Sequence, residues 1–140
     1  MTDLKLEDDH YCFVCGRQNP IGLNLNFSYN NKKAFAEFIL KKSYQGYKDI
    51  VHGGIIAAVL DEAMIKAALA QGINAITAEI TVRFKNPLLV GEKATVEAEI
   101  VKYGKRLIEA TAYIIGPGSE TIAEGNGKLL TVSLPYPPAP

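Results

Sequence analysis

The sequence predicts an α+β fold in which a strongly curved antiparallel β-sheet wraps around one long central helix. Three observations predict it. One segment of strong helix formers is apolar on nearly all sides, so it must be largely enclosed. Two strand-like segments precede it and four follow, and the later ones alternate apolar and polar residues. Short connections join the last four, which makes them antiparallel neighbours.

The elements follow in order. Residues 1–22 are irregular, punctuated by Gly16, Asn19-Pro20 and Gly22. Residues 23–29 and 33–40 are two strands with Asn30-Asn31 as their hairpin turn. A loop, 41–51, contains Gly46. Residues 54–71 form the helix, free of Gly and Pro from Ile55 to Ala70, with Gly72 at its C-terminal stop. In 76–84, Ile76, Ala78, Ile80, Val82 and Phe84 alternate strictly with Thr77, Glu79, Thr81 and Arg83, the pattern of a half-buried strand. Asn86-Pro87 ends it. Strands at 93–101, 106–115 and 121–132 are separated by Tyr103-Gly104-Lys105 and Gly116-Pro117-Gly118-Ser119. Residues 133–140 are Pro-rich and form an extended tail. No repeat interrupts this order, and 1–140 reads as a single domain.

Bulk properties exclude several functions. The chain has 140 residues, 48% apolar, enough for one real core. Its 15 basic and 15 acidic residues cancel, so neither nucleic acid nor an anionic membrane is an expected partner. The acidic start, Met1 to His10, lacks the pattern of a secretion signal. The longest apolar run, Ile55 to Leu60, is too short to span a bilayer. A cytoplasmic protein is expected, with Cys12 and Cys15 as thiols.

The helix carries three charges. Glu62 and Lys66 stand four apart in the favourable order and are expected to pair on an exposed face. Asp61 has no such partner; Ala57, Ala58, Met64, Ile65 and Ala68 surround it at helical spacing. A carboxylate there costs free energy unless something satisfies it. It is either a structural Asp bonded to a neighbour or a general base or nucleophile tuned by burial. Val51-His52-Gly53-Gly54 leads into the helix. It is either a tight turn with a capping histidine or a donor site for a developing oxyanion. Gly53 and Asp61 are eight residues apart, about 12 Å along one helix. A carbonyl carbon must lie within roughly 3–3.5 Å of its attacker. If both groups act, they come from different chains of a symmetric dimer.

The run Val51-His52-Gly53-Gly54…Asp61-Glu62-Ala63 resembles the His-Gly-Gly…Asp motif of the phenylacetate-pathway-like (PaaI-like) hotdog thioesterases. Thr77 to Phe84 with Asn86-Pro87…Gly91-Glu92 is similar to the strand after the helix in that family. Cys12-Phe13-Val14-Cys15-Gly16…Asn19-Pro20-Ile21-Gly22-Leu23 is similar to one branch of it. The resemblance covers roughly 12–132. It implies the hotdog fold, with Asp61 activating water or attacking the thioester and Gly53 of the other subunit donating its N–H to the thioester oxygen. It also implies that His52 shapes the turn and that Thr77 helps position the nucleophile or water. Thr77, however, lies on the polar face of its strand and reaches the site only if that face lines a dimer cleft. The family's Asn or Gln fifteen residues before the carboxylate is replaced by Gly46, leaving adjacent Gln45 as the candidate.

Cys12 and Cys15 have metal-ligand spacing, with His10 and His52 elsewhere, but no second cysteine pair exists and no metal is expected. Their segment is expected over the mouth of the substrate pocket. Arg83, Lys85, Lys102, Lys105 and Arg106 are either solvated surface or contacts to nucleotide phosphates, with Lys105 and Arg106 foremost. Gly54 and Arg83 complete the expected substrate contacts. Gly125-Asn126-Gly127 has no helix after it and is no nucleotide fingerprint. The expectation is hydrolysis of an acyl-CoA to a carboxylic acid and coenzyme A, without a cofactor, by a homodimer or homotetramer. A hotdog hydratase or dehydratase and a non-catalytic acyl-CoA-binding sensor are the alternatives.

Overall fold

The structure, a computed structural model, describes residues 6–132. The Pro-rich segment 133–140 lies outside the described residues. The elements are β1 (Ser28–Asn30), β2 (Lys33–Ile39), a 3-10 turn (Lys42–Tyr44), α1 (Gly53–Ala70), β3 (Ala75–Phe84), β4 (Lys93–Lys102), β5 (Leu107–Ile115) and β6 (Thr121–Thr131). They form one antiparallel sheet in the order β1-β2-β4-β5-β6-β3. The single helix touches every strand from β2 to β6, so the sheet curves about it as expected.

The core sits between helix and sheet. Val59, Leu60, Ala63, Met64 and Ala67 are fully buried against Val96, Ala112, Ile114 and Leu129. Burying a side chain the size of Leu60 or Met64 contributes about 1.5–3 kcal/mol. The two glycines of β6 explain how close the helix comes. A Cβ on Gly127 would lie 2.9 Å from the Met64 sulfur, and one on Gly125 would lie 3.4 Å from Leu60 Cβ. They are small because α1 crosses over them, not because they bind a nucleotide.

Three expectations are corrected. The strand expected at 23–29 shrinks to Ser28–Asn30. Asn24 has a left-handed φ of 59°, which breaks an extended run. Leu23 and Leu25 instead donate their N–H groups to the carbonyls of Phe13 and Val14, pinning the N-terminal segment to the body. The hairpin turn moves by one residue: Asn30 pairs with Lys33, and Asn31 and Lys32 both take positive φ, as a two-residue primed turn requires. Finally, β3 and β4 are not neighbours. The intervening chain carries β4 to β2, while β3 closes the sheet beside β6. Closing a short sheet around a helix outweighs the tendency of consecutive strands to pair.

Candidate active site

The start of α1 is built by His52. Its Nδ1 accepts the Gly54 N–H at 2.8 Å, and its carbonyl accepts from Ile55 and Ile56. Such a cap bond contributes about 0.5–1.5 kcal/mol. Accepting at Nδ1 leaves the proton of the neutral ring on Nε2. His52 therefore shapes the turn, and the Gly54 N–H is engaged by it. Gly53 is different. It is exposed, and its N–H has no acceptor among the described residues. Gln45 lines the same surface depression as His52 and Gly54. Its amide oxygen is used inside its own loop, accepting from the Asp49 N–H at 2.9 Å and from Lys42 Nζ at 3.3 Å.

Two turns along α1, Asp61 is half-buried. Thr77 Oγ1 donates to Asp61 Oδ1 at 2.5 Å. Strict alternation would have turned Thr77 away from the helix. A β-bulge intervenes: Thr77 pairs with Leu129 but Glu79 pairs with Lys128, so Ala78 is an extra residue. After it, Ile80 and Val82 lie opposite Gly127 and Gly125 on the helix side. Before it, Thr77 lies opposite buried Leu129 on that same side. The structure thus holds the sequence-predicted residues as two groups. Gln45, His52, Gly53 and Gly54 stand at the start of α1; Asp61 and Thr77 stand at its middle.

Of the expected phosphate contacts, Lys85 lines one surface depression with Gly53 and Phe84. Arg83 lies opposite Glu124, on the face away from α1. Lys85 faces Glu124 at 4.0 Å and Lys102 faces Glu109 at 3.9 Å. Lys105 and Arg106 occupy the exposed β4–β5 turn, where their carbonyls accept from the Thr131 hydroxyl and N–H.

The Glu62–Lys66 pair, expected on an exposed face, is mostly covered: the two groups lie 3.7 Å apart with side chains 17% and 19% exposed. The cover is the N-terminal segment, whose Cys15 Sγ donates to Glu62 Oε2 at 3.3 Å. Burial, with Cys12 and Glu62 beside it, pushes the Cys15 thiol up to about 12. The Cys segment flanks a cavity of about 440 Å³ lined also by Tyr11, Ile65, Lys66 and Leu69. Sequence reading missed the meeting of Cys15 with Glu62; the only trace of it was an unexplained pair of cysteines at metal-ligand spacing.

Comparisons with known proteins point one way. Residues 48–122 match the profile of the thioesterase superfamily. A protein of Archaeoglobus fulgidus, provisionally named an esterase, is 27% identical over 91% of this chain and 94% of its own length. Mouse acyl-coenzyme A thioesterase THEM5 is 26% identical over 77% of this chain, which spans 44% of that protein. Among solved structures, the Escherichia coli PaaI protein of the phenylacetic acid degradation operon superposes with a TM-score of 0.73 at 22% identity, over 79% of this chain and 80% of that one. A thioesterase-like protein of Streptococcus pneumoniae, solved with coenzyme A, superposes with a TM-score of 0.74 at 13% identity, over 78% and 86%. These superpositions show a shared fold, the hotdog arrangement of sheet and helix.

Proposed function

This chain belongs to the thioesterase superfamily, and we propose that it is an acyl-CoA thioesterase whose site joins Asp61 and Thr77 of one protomer to Gly53 of another. The observation that carries the reading is the half-buried Asp61 on an apolar helix, with one oxygen held by Thr77 and the other left for chemistry. The acyl-CoA substrate is supported by the activity in the name of the mouse relative and by the coenzyme A held by the pneumococcal protein. The pneumococcal protein has also been solved with an aspartate and, separately, a threonine replaced by alanine, sixteen residues apart. Asp61 and Thr77 have the same spacing.

In the reaction, Asp61 takes a proton from water as the water oxygen attacks the thioester carbon. The Gly53 N–H and the positive end of α1 stabilise the oxyanion that forms. Collapse of the intermediate breaks the carbon–sulfur bond, and the proton taken up by Asp61 passes to the leaving sulfur, giving a carboxylic acid and the coenzyme A thiol and restoring the Asp61 carboxylate. Lys105 and Arg106, exposed and without ion-pair partners among the described residues, are the proposed phosphate contacts.

The two groups meet through β3. This ten-residue strand lies at the sheet edge with one side unpaired and Phe84 59% exposed. Such an edge is a template for pairing with another chain. The adjoining face of α1, with Ala57, Ala58, Asp61 and Ile65, is only half covered. If β3 pairs antiparallel with its copy about Thr81, with Ala78 the extra residue, Thr77 of one strand comes opposite Phe84 of the other on the helix side. Thr77 holds Asp61; Phe84 borders Gly53, about 3.5 Å from where its Cβ would stand. A homodimer thereby completes two equal sites. The free thiols of Cys12 and Cys15 fit a cytoplasmic location.

Assaying short, medium, long and aromatic acyl-CoAs for thiol release tests the reading. Release with at least one class is expected. Bound coenzyme A with no cleavage of any class, or water addition to an enoyl-CoA without thiol release, would overturn it.

A further inference from the structure

The N-terminal segment and α1 share a cluster that the proposed hydrolysis does not use. Cys12, Cys15 and Glu62 place one ligand atom each within 4.8 Å of the other two, and all three residues are partly buried. We infer that they form a binding site for a divalent transition metal of the zinc class, with its remaining position open to the adjoining cavity.

Ligand type, local geometry and charge support the site independently. Two sulfurs and one carboxylate oxygen are a donor set that zinc accepts, and three protein ligands plus water is an established zinc coordination. Metal–sulfur and metal–oxygen bonds of the usual length put tetrahedral ligand atoms about 3.5–3.8 Å apart. Cys15 Sγ and Glu62 Oε2 already stand 3.3 Å apart without any backbone rearrangement.

The turn that presents the sulfurs is tight. The Cys15 N–H points at Cys12 Sγ at 3.3 Å, a donor suited to a thiolate, and the Gly16 N–H bonds the Cys12 carbonyl at 2.9 Å. A Cβ on Gly16 would lie 2.3 Å from the Cys12 nitrogen and 2.7 Å from the His10 carbonyl, so only glycine permits this turn. The turn keeps both sulfurs on one side, facing the helix. Two thiolates and a carboxylate carry three negative charges. A divalent ion leaves one, and the Lys66 ammonium, 3.7 Å from Glu62, offsets it.

The sequence offered one cysteine pair and therefore no four-cysteine site. The third ligand comes from the helix, 47 residues from Cys15. A metal there would clip the N-terminal segment to α1 one residue from Asp61.

The test uses the full chain, fully reduced, incubated with cobalt(II) or zinc(II) and then dialysed. One metal per chain is expected by mass spectrometry. The cobalt form should show thiolate-to-metal charge-transfer bands and the visible bands of a tetrahedral ion. Zinc should protect both cysteines from alkylation until a chelator is added. Cys12→Ser and Cys15→Ser should each abolish the charge-transfer bands' full intensity and the stoichiometric binding. Glu62→Gln leaves both thiols and the turn in place; it should weaken binding by roughly tenfold or more. Wild-type protein that retains no metal overturns the site, as does equal metal retention in the Cys12→Ser/Cys15→Ser double variant. Unchanged affinity in folded Glu62→Gln overturns the three-ligand assignment.

Discussion

β3 and β4 are both ten residues long, and both alternate apolar and polar residues in sequence, yet they end in opposite conditions. β4 lies between β2 and β5, and along the stretch that β2 flanks its alternation is obeyed, with Ala94, Val96, Ala98 and Ile100 buried; its register slips only at Val101, past the last residue paired with β2. β3 lies at the edge, and its alternation is broken at Ala78. A central strand answers only to the core, where a one-residue slip would put every apolar side chain in water. An edge strand has a neighbour on one side only and can absorb an extra residue. Here the extra residue turns a hydroxyl toward the helix carboxylate. Polar chemistry enters this fold where the constraint of the core is weakest.

Single-residue deletions probe that contrast. Deleting Ala98 from β4 inverts the facing of half a central strand, and no cooperatively folded protein should remain by circular dichroism and thermal melting. The milder change Thr77→Val keeps shape and burial but removes the hydroxyl from Asp61. A hydrogen bond to a charged group is worth about 1.5–3 kcal/mol, so kcat should fall by roughly 10- to 150-fold with the melting temperature little changed. Deleting Ala78 removes only the bulge residue and leaves Thr77, Ile80 and Val82 on the helix side. Steady-state assays should find kcat within roughly a few-fold of wild type. Thr95→Val, the matched threonine change on β4, should leave kcat unaltered and stability within about 0.5 kcal/mol. Equal losses from Thr77→Val and Thr95→Val would remove the distinction between the strands.

Much of this arrangement was legible in the sequence, and the rest was hidden for identifiable reasons. The helix was found to within one residue at each end, because its composition and the glycines flanking it act locally. Asp61 and Gly53 stood out as a lone carboxylate and a glycine at a helix start, and their spacing already implied two chains. The position of Thr77 was not legible: a bulge is set by pairing with β6, far along the chain, while the residues of β3 alternate without a break. The outward facing of Arg83, by contrast, follows from that alternation, and its register opposite Glu124 agrees with it. The partnership of Glu62 with Cys15 was hidden because 47 residues separate them and a good local partner, Lys66, was visible.

In the proposed site, Asp61 comes from one protomer and the Gly53 N–H from its partner. Mixed dimers test it directly. Asp61→Asn removes the base and should lower kcat by roughly 10²–10⁴. Gly53→Pro removes the donor cleanly: proline is tolerated at the first helical position, and His52, at φ −60° and ψ 135°, has the backbone that precedes proline. Its kcat should fall by roughly 10²–10³. The two variants, co-expressed with different tags and purified as the mixed dimer, would hold one site with both changes and one with neither. That dimer should recover about half the wild-type activity. A mixed dimer no more active than its parents would contradict the shared site and place both groups within one chain.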